Sequence, residues 1–164
     1  MDSGPLTGYR VVDLGWVFAG ALPGLLLASL GAEVIKVESR ARLDYMRQGR
    51  PLIGTQRDPD QNPMFHNVGQ GKLSLTLDLT QPEAVAVLKD LVRVSDVLIE
   101  NFSPGVMERL GLGYEDLRQA RPDLVYASMS AAGHEGPLRD LRAYAPSLNA
   151  LSGLDSLVGY EGGR

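Results

Sequence analysis

The most constraining feature of this sequence is a β-loop-α-β unit within its first 38 residues. The β-branched run RVVDL at 10–14 predicts a buried strand, and AEVIKVE at 32–38 predicts a second one. Between them, Pro23 is typical of the first turn of a helix and Gly31 of its C-terminal cap, so we predict a short apolar helix over 23–30. Two strands joined in this way require a parallel sheet whose crossover connection is right-handed.

The rest of the chain continues the alternation of strands and helices. The segment TQPE at 80–83 has the pattern of a capping box with proline in the first turn, and an amphipathic helix is predicted after it. The alternation indicates an α/β protein with a Rossmann-like open, mainly parallel sheet that carries helices on both faces. The other predicted strands are 73–79, 96–100 and 124–129, and the other predicted helices lie near 105–110, 114–120 and 146–151.

Composition and charge exclude several classes of function. The formal net charge of −4 argues against a general nucleic-acid binder, which usually has a basic surface. The chain has no cysteine, and His66 and His134 lack the spacing of metal ligands, so we predict neither disulfides nor a metal site. Its apolar runs are too short to span a membrane, and its N-terminus lacks the basic region of a signal peptide. We therefore expect a cytoplasmic protein without a membrane partner.

The end of the first predicted strand carries a glycine-rich stretch with Gly15, Gly20 and Gly24. Open parallel sheets bind ligands beyond the carboxyl ends of their strands, and a helix N-terminus after such a loop attracts anions. The spacing differs from both the dinucleotide fingerprint and the P-loop. A tight turn that needs glycine for packing alone is the alternative interpretation.

The segment 39–65, after the second predicted strand, is long, has little periodicity and is rich in arginine. Arginine presents a planar fork that suits phosphate oxygens, so we favour phosphate binding for the segment as a whole. A solvated loop is the alternative for any single member of the set Arg40, Arg42, Arg47, Arg50 and Arg57.

A third strand end, after DVLIE, carries Asn101 and Phe102. An amide and an aromatic ring in sequence can hydrogen-bond to and stack on a heterocycle such as adenine, although a turn asparagine and a core phenylalanine are equally natural here. His134 lies in a loop, where a lone histidine more often faces solvent than acts in catalysis. Together the three strand ends predict a site for an anionic, nucleotide-like ligand, and they do not define a reaction.

Three stretches of the chain carry a resemblance to a known family. They are RVVDLGWVFAGALPGLLLASLGAEVIKVES at 10–39, GKLSLTLDLTQPEA at 71–84, and the segment from DVLIENFSPGVMERLGLG to GPLRD at 96–140. In order and spacing they resemble the family III CoA-transferases, which include formyl-CoA transferase, carnitine CoA-transferase and α-methylacyl-CoA racemases. The resemblance covers essentially the whole chain.

The resemblance implies an enzyme that moves CoA from an acyl-CoA thioester to a free carboxylic acid through a covalent carboxylate intermediate. CoA and acyl-CoA are substrates, and no cofactor is bound permanently. The family's nucleophilic aspartate aligns beyond Arg164, and Asp155 belongs to the preceding stretch, so we expect no catalytic residue here and an inactive chain. Residues 1–164 correspond to the N-terminal part of the CoA-binding Rossmann-like domain, with the second domain absent. Full-length members form interlocked homodimers.

The resemblance also implies which residues contact CoA. Ser39 replaces an arginine of formyl-CoA transferase, with Arg40 beside it as a substitute, and Phe18 replaces a glutamine. Both departures argue against formyl-CoA and oxalate as substrates. The implied contacts are Val17, Phe18 and Ala19 at the thioester end, Ser39 and Arg40, Leu77, Asp78, Leu79 and Thr80 beside the adenine, Asn101, Phe102 and Arg109, and Arg142.

Three alternatives stay open at this stage. The chain is compatible with a non-catalytic acyl-CoA-binding subunit that works in a hetero-oligomer. An acyl-CoA racemase fragment is disfavoured, because Tyr144-Ala145-Pro146 stands near the place of the racemases' Gly-His-Asp, whose carboxylate a proton-transfer site needs. A dinucleotide-binding domain of an oxidoreductase is disfavoured by the glycine spacing.

Overall fold

A parallel β-sheet organises the first part of the chain. In the computed structural model, which describes residues 4–48 and 58–159, five strands follow the order β3-β2-β1-β4-β5, and every pair is parallel. This is the strand order of the doubly wound Rossmann fold, so the predicted α/β class is confirmed. The strands are β1 (Arg10–Asp13), β2 (Glu33–Glu38), β3 (Lys72–Thr76), β4 (Val97–Glu100) and β5 (Val125–Ser128).

The chain divides into two units, Met1–Met129 and Ser130–Arg164. The first unit contains the sheet and six of the described helices, with a 3-10 turn at Pro59–Gln61, and the second contains one helix and a 3-10 turn at Leu154–Leu157. The helices are α1 (Val17–Ser29), α2 (Tyr45–Gln48), α3 (Pro63–Gly69), α4 (Pro82–Arg93), α5 (Val106–Arg109), α6 (Tyr114–Ala120) and α7 (Ala145–Ser152).

Alternate side chains of the central strands form two cores, one on each face of the sheet. Val12 and Leu98 pack in one cluster with Leu88 of α4 and Leu117 of α6. Their neighbours Val11 and Ile99 face the opposite way and lie in a second cluster, against which Leu27 and Ala28 of α1 pack. The period of two in the strands therefore places helices on both faces, as the sequence predicts.

The predicted helix over 23–30 begins too late. Helix α1 starts at Val17 and includes Gly20, Pro23 and Gly24, which the sequence analysis placed in a loop or in the first turn. Proline was interpreted as an N-terminal residue because it removes a backbone donor, and here it is accommodated inside the helix. Since the helix is apolar on every side, no periodicity marks its start.

The two glycines of α1 allow the helix to approach other parts of the protein closely. A Cβ at Gly24 would lie 2.4 Å from Oδ2 of Asp13, and a Cβ at Gly20 would lie 2.4 Å from Oδ1 of Asn101. Real side chains do not approach so closely. Glycine is therefore required at these positions by packing, which was the alternative interpretation of the glycine-rich stretch.

The capping box at 80–83 is also a wrong prediction. Helix α4 begins at Pro82 after Gln81, whose side chain makes no cap hydrogen bond. The hydroxyl of Thr80 instead donates to Oδ1 of Asp78, at 2.8 Å. Thr80 is thus engaged in the turn after β3, because a nearer acceptor competes for its hydroxyl group.

The arginine-rich segment contains more regular structure than its sequence indicates. Helix α2, the first 3-10 turn and α3 all lie within 45–69. Asn62 caps α3 by accepting from the amide of Met64 at 3.0 Å, and Pro63 follows it. Arg50 and Arg57 lie outside the described residues.

Over 4–48 and 58–159, no helix is long and apolar enough to cross a membrane.

We predict that Gly24→Ala lowers the free energy of unfolding by about 1–3 kcal/mol, because overpacking displaces the helix or the buried carboxylate below it. Gly69→Ala in α3 is the matched control, since its added methyl group would meet only the Phe65 ring at 3.4 Å, an ordinary contact. The control keeps or increases stability through helix propensity. Urea unfolding followed by circular dichroism measures both, and equal effects of the two variants would contradict the packing explanation.

Candidate functional site

The loops that follow β1, β2 and β4 meet at the carboxyl edge of the sheet. The amide of Trp16, after β1, donates to Oδ1 of Asn101, after β4, at 2.7 Å, and Nδ2 of Asn101 donates to the Trp16 carbonyl at 2.9 Å. The amide of Val17 donates to Oδ2 of Asp44, after β2, at 2.9 Å. The turn after β1 is therefore held from both sides by side chains that are remote in sequence.

Val17 has a left-handed backbone conformation, with φ of 56°. A β-branched residue rarely adopts this conformation, and such strain persists only where the surroundings impose it. Phe18 and Ala19 follow directly as exposed residues in the first turn of α1, and Phe18 is 44% exposed. The three residues predicted at the thioester end thus form one constrained and accessible turn.

Beneath this turn lies a buried group of charges. The Asp13 carboxylate is fully buried, with Oδ2 2.7 Å from Nζ of Lys72 and Oδ1 3.6 Å from Nζ of Lys36. Asp13 Oδ1 also accepts from the Gly15 amide at 2.8 Å, and the Gly15 carbonyl accepts from Lys36 Nζ. Burial lowers the pKa of Lys72, and the adjacent Asp13 charge opposes that change. These charges fix the start of the loop from below.

Aromatic groups surround the Asn101 contact. The rings of Trp16 and Phe102 meet edge to face, with centroids 6.3 Å apart, and the guanidinium of Arg42 lies 4.9 Å from the Trp16 ring centroid. The Phe102 amide donates to the buried carboxylate of Glu100 at 2.7 Å. Phe102 also packs against the main core, which is the alternative interpretation of this residue, and its contact with a ligand stays a prediction.

The guanidinium of Arg47 is bonded to carboxylates of this chain. Its Nε and NH2 donate to the two carboxylate oxygens of Glu38, at 2.8 and 2.7 Å, and NH1 donates to Asp60 at 2.7 Å. The guanidinium also covers the Phe65 ring, 3.4 Å from its centroid. The hydrogen bond to Glu38 raises the pKa of Arg47. Arg47 thus organises this edge of the sheet, whereas Arg40 is exposed.

The stretch 77–80 forms the turn after β3. The Leu77 amide donates to the Glu38 carbonyl at 2.8 Å, and Leu77 and Leu79 pack against the main core. Asp78 accepts from the Thr80 hydroxyl and, at 3.1 Å, from the Thr80 amide. These hydrogen bonds lower the pKa of Asp78, the hydroxyl bond contributing most.

The remaining predicted contacts are spread over the two units. Ser39 accepts from the Ala41 amide at 3.2 Å through its hydroxyl oxygen, directly after β2. Arg109 lies at the end of α5 and is exposed. Arg142 is exposed within the second unit. The described residues 4–48 and 58–159 contain no group of three or more side chains suited to a metal ion.

Four residues that build the turn are not predicted from the sequence: Asp13, Lys36, Asp44 and Lys72. A signal for two of them exists, because Asp13 and Lys36 carry opposite charges, each follow an apolar residue in their strands and directly face each other in the register. Buried charges are rare unless they are paired, so each predicts a partner. Asp44 carries no such signal, since it lies in a polar loop.

The strand order and the helices on both faces define an α/β protein of the Rossmann type, and comparison with known proteins is more specific. Residues 6–164 match the sequence pattern of CoA-transferase family III. The chain belongs to this family. It is 40% identical over 160 residues to the acetyl-CoA:oxalate CoA-transferase of Acetobacter aceti, and 36% identical over 160 residues to the human succinyl-CoA:glutarate CoA-transferase.

Coverage in these comparisons is unequal. The alignments include 98% and 97% of this chain, but only 40% and 35% of the Acetobacter and human proteins. The crystal structure of a CAIB/BAIF family protein from Brucella suis matches with a TM-score of 0.88 and 36% identity, over 96% of this chain and 42% of that one. The chain therefore spans well under half the length of these relatives.

We predict that Asp13→Asn lowers the free energy of unfolding by about 3–5 kcal/mol, because two buried lysines then lack a counter-charge. Asp90→Asn is the control, since its ion pair with Arg93 is exposed and contributes about 1 kcal/mol or less. Urea unfolding at neutral pH distinguishes the two variants. A loss of the same size in both would show that the buried position of Asp13 is not the cause.

We also predict that Thr80→Val raises the pKa of Asp78 toward its ordinary value, because the variant lacks the hydroxyl donor. In the native chain a lowered carboxyl pKa contributes stability above pH 3.8, and this contribution is lost as the pH falls through the lowered value. NMR titration of the Asp78 carboxyl carbon measures the change. Thr76→Val, an exposed position in β3, is the control and leaves this pKa unchanged.

Proposed function

We propose that this chain supplies the CoA-binding part of a CoA-transferase that moves CoA from an acyl-CoA thioester to a free carboxylic acid. The family match over 6–164 carries this proposal. The edge geometry supports it, because an accessible turn, aromatic rings and cationic side chains lie at the carboxyl ends of parallel strands, where such folds bind ligands.

In this proposal the thioester end of acyl-CoA lies against Val17, Phe18 and Ala19. The rings of Trp16 and Phe102 form an apolar surface for it at the same edge. Asn101 acts mainly by shaping the turn, because both polar atoms of its amide are bonded to Trp16. The nucleotide end is assigned to Ser39, Arg40, Leu77, Asp78, Leu79, Thr80 and Arg109 of the first unit, and Arg142 of the second unit stays a separate prediction from the family resemblance.

The proposed chemistry is covalent carboxylate catalysis. A carboxylate attacks the thioester carbonyl to give a mixed anhydride and release CoA thiolate, which then attacks the anhydride to form an enzyme-CoA thioester and free the donor acid. The acceptor carboxylate repeats these steps in reverse order and leaves as its CoA ester. We assign the nucleophile to an aspartate that the 164 residues do not contain, and the working assembly to an interlocked homodimer.

We propose a small dicarboxylate as the acceptor. The two relatives are named for oxalate and for glutarate, and both of these acids are dicarboxylates. The 40% identity with an enzyme named for oxalate also argues against the exclusion of oxalate that Ser39 and Phe18 suggested. Acceptor specificity is therefore assigned to residues other than these two.

The first test is the thermal unfolding of the chain with CoA, acetyl-CoA and NAD at equal concentrations. A ligand that binds only the folded state at 100 times its Kd stabilises it by about 2.7 kcal/mol, so CoA and acetyl-CoA raise Tm and NAD leaves it unchanged. Equal protection by NAD would favour a dinucleotide-binding domain. No protection by CoA would contradict the proposed function.

We predict that Arg109→Ala weakens CoA binding by about 1–3 kcal/mol, because the variant loses a hydrogen bond from a charged donor to the ligand. Arg118→Ala is the matched control, since Arg118 is an exposed helical arginine with a long i,i+3 pair to Glu115. Titration calorimetry with CoA measures both affinities. Unchanged affinity in Arg109→Ala would remove Arg109 from the site.

A further inference from the structure

The left-handed conformation of Val17 raises the question of what imposes it. Residue 17 has a φ of 56°, and valine, unlike glycine, does not adopt this value without strain. The direction of the chain through Phe18 and Ala19 depends on this single backbone rotation. A group that holds Val17 therefore controls where the two exposed residues after it are presented.

Asp44 holds Val17 directly. Its Oδ2 accepts from the Val17 amide at 2.9 Å, and its Oδ1 accepts from the Met46 amide at 3.0 Å. The residue is 4% exposed. A buried carboxylate whose two oxygens each accept a backbone amide has a fixed orientation, and charged acceptors form the stronger class of hydrogen bond.

Asp44 is in turn fixed by the short helix α2 that follows it. Arg47 in α2 makes its two-pronged contact to Glu38, the last residue of β2, and covers the Phe65 ring of α3. The rigid end of β2 thus determines the position of α2, and α2 determines the position of the Asp44 carboxylate. This continuous set of contacts links the sheet to the turn after β1.

We propose that Asp44 is a positioning residue for acyl-CoA, which holds Val17 in its left-handed conformation and so presents residues 17–19 to the thioester arm. The inference rests on the proposed function. Asp44 touches no substrate in this arrangement and acts only through the turn. Its effect is therefore confined to the thioester arm of the ligand and absent at the nucleotide end.

The test compares acetyl-CoA with adenosine 3′,5′-bisphosphate, which resembles the nucleotide end of CoA and lacks the arm. We expect Asp44→Asn to weaken acetyl-CoA binding at least about tenfold, since a charged hydrogen bond is lost, and to leave the bisphosphate affinity unchanged. Glycine adopts positive φ freely, so Asp44→Asn weakens acetyl-CoA binding much less in a Val17→Gly background than in the wild type, a comparison in which the loss of the Val17 side chain cancels. Titration calorimetry gives all of these values.

Asp96→Asn is the matched control. The Asp96 carboxylate also accepts a backbone amide from another element, that of Arg10 at 2.8 Å, but at the amino edge of the sheet. This variant is expected to bind both ligands as the wild type does. Wild-type acetyl-CoA affinity in Asp44→Asn, or an equal loss of affinity on adding Asp44→Asn to Val17→Gly, would overturn the positioning role.

A second readout needs no ligand. Trp16 is the single tryptophan of the chain and lies in the turn itself, so its emission reports the geometry there. Asp44→Asn shifts the emission to longer wavelength, and Val17→Gly in the same chain reverses the shift. If Asp44→Asn fails to fold, Arg47→Lys, which loses the two-pronged contact and keeps Asp44, is expected to shift the emission in the same direction.

The two readouts separate the two proposals. If the wild type binds neither CoA nor acetyl-CoA, the proposed function fails, and the emission of Trp16 still decides whether Asp44 holds the turn. An unshifted emission in every folded variant overturns the role of Asp44. Loss of acetyl-CoA and bisphosphate affinity together in Asp44→Asn would also overturn it, because a general structural defect affects both ends of the ligand.

Discussion

The buried carboxylate of Asp13 is the contact on which the rest of this structure depends. It lies at the end of β1, its charge is matched by lysines from β2 and β3, and it accepts the amide of Gly15 in the following turn. Lys72 also donates to the Ala21 carbonyl of α1 at 2.6 Å. A buried ion pair adds little stability compared with apolar packing, but its loss leaves uncompensated charge. Its role here is therefore geometric, since it joins three strands, a turn and a helix at one point.

This contact explains the glycines of α1. A helix that lies directly above a buried carboxylate and a side-chain amide has no room for side chains on its lower face, so positions 20 and 24 are glycine. Close backbone approach thus explains Gly20 and Gly24. The groups that the backbone approaches are Asp13 and Asn101 of the protein itself, which the sequence alone does not indicate.

The strands were predictable and the conformation of the turn after β1 was not, for physical reasons. Runs such as RVVDL and DVLIE are short, rich in β-branched residues and followed by the turn formers Gly15 and Asn101, so local sequence is sufficient to identify them. Helix α1 is apolar on every side, so its pattern does not define its first residue. Pro23, which is typical of a first helical turn, then predicts a start that is too late. The left-handed Val17 is imposed by Asp44, which lies 27 residues away, and no local rule places a valine in that conformation. Family resemblance pointed to 17–19 without indicating why these residues are held there.

Resemblance and geometry assign different roles to Asn101. The resemblance implies a residue that contacts CoA, whereas in the structure its amide oxygen and nitrogen are bonded to the backbone of Trp16. An amide can form further hydrogen bonds, so the two roles are compatible, but the contact with Trp16 is the one that the structure shows. Loss of this side chain would free both polar groups of Trp16 beside the strained residue, and the turn would change even for a ligand that never touched Asn101. A weakened CoA affinity in such a variant would therefore reflect the altered turn more than a lost contact between Asn101 and CoA. Arg109, which is exposed at the end of α5, is the more direct probe of CoA binding.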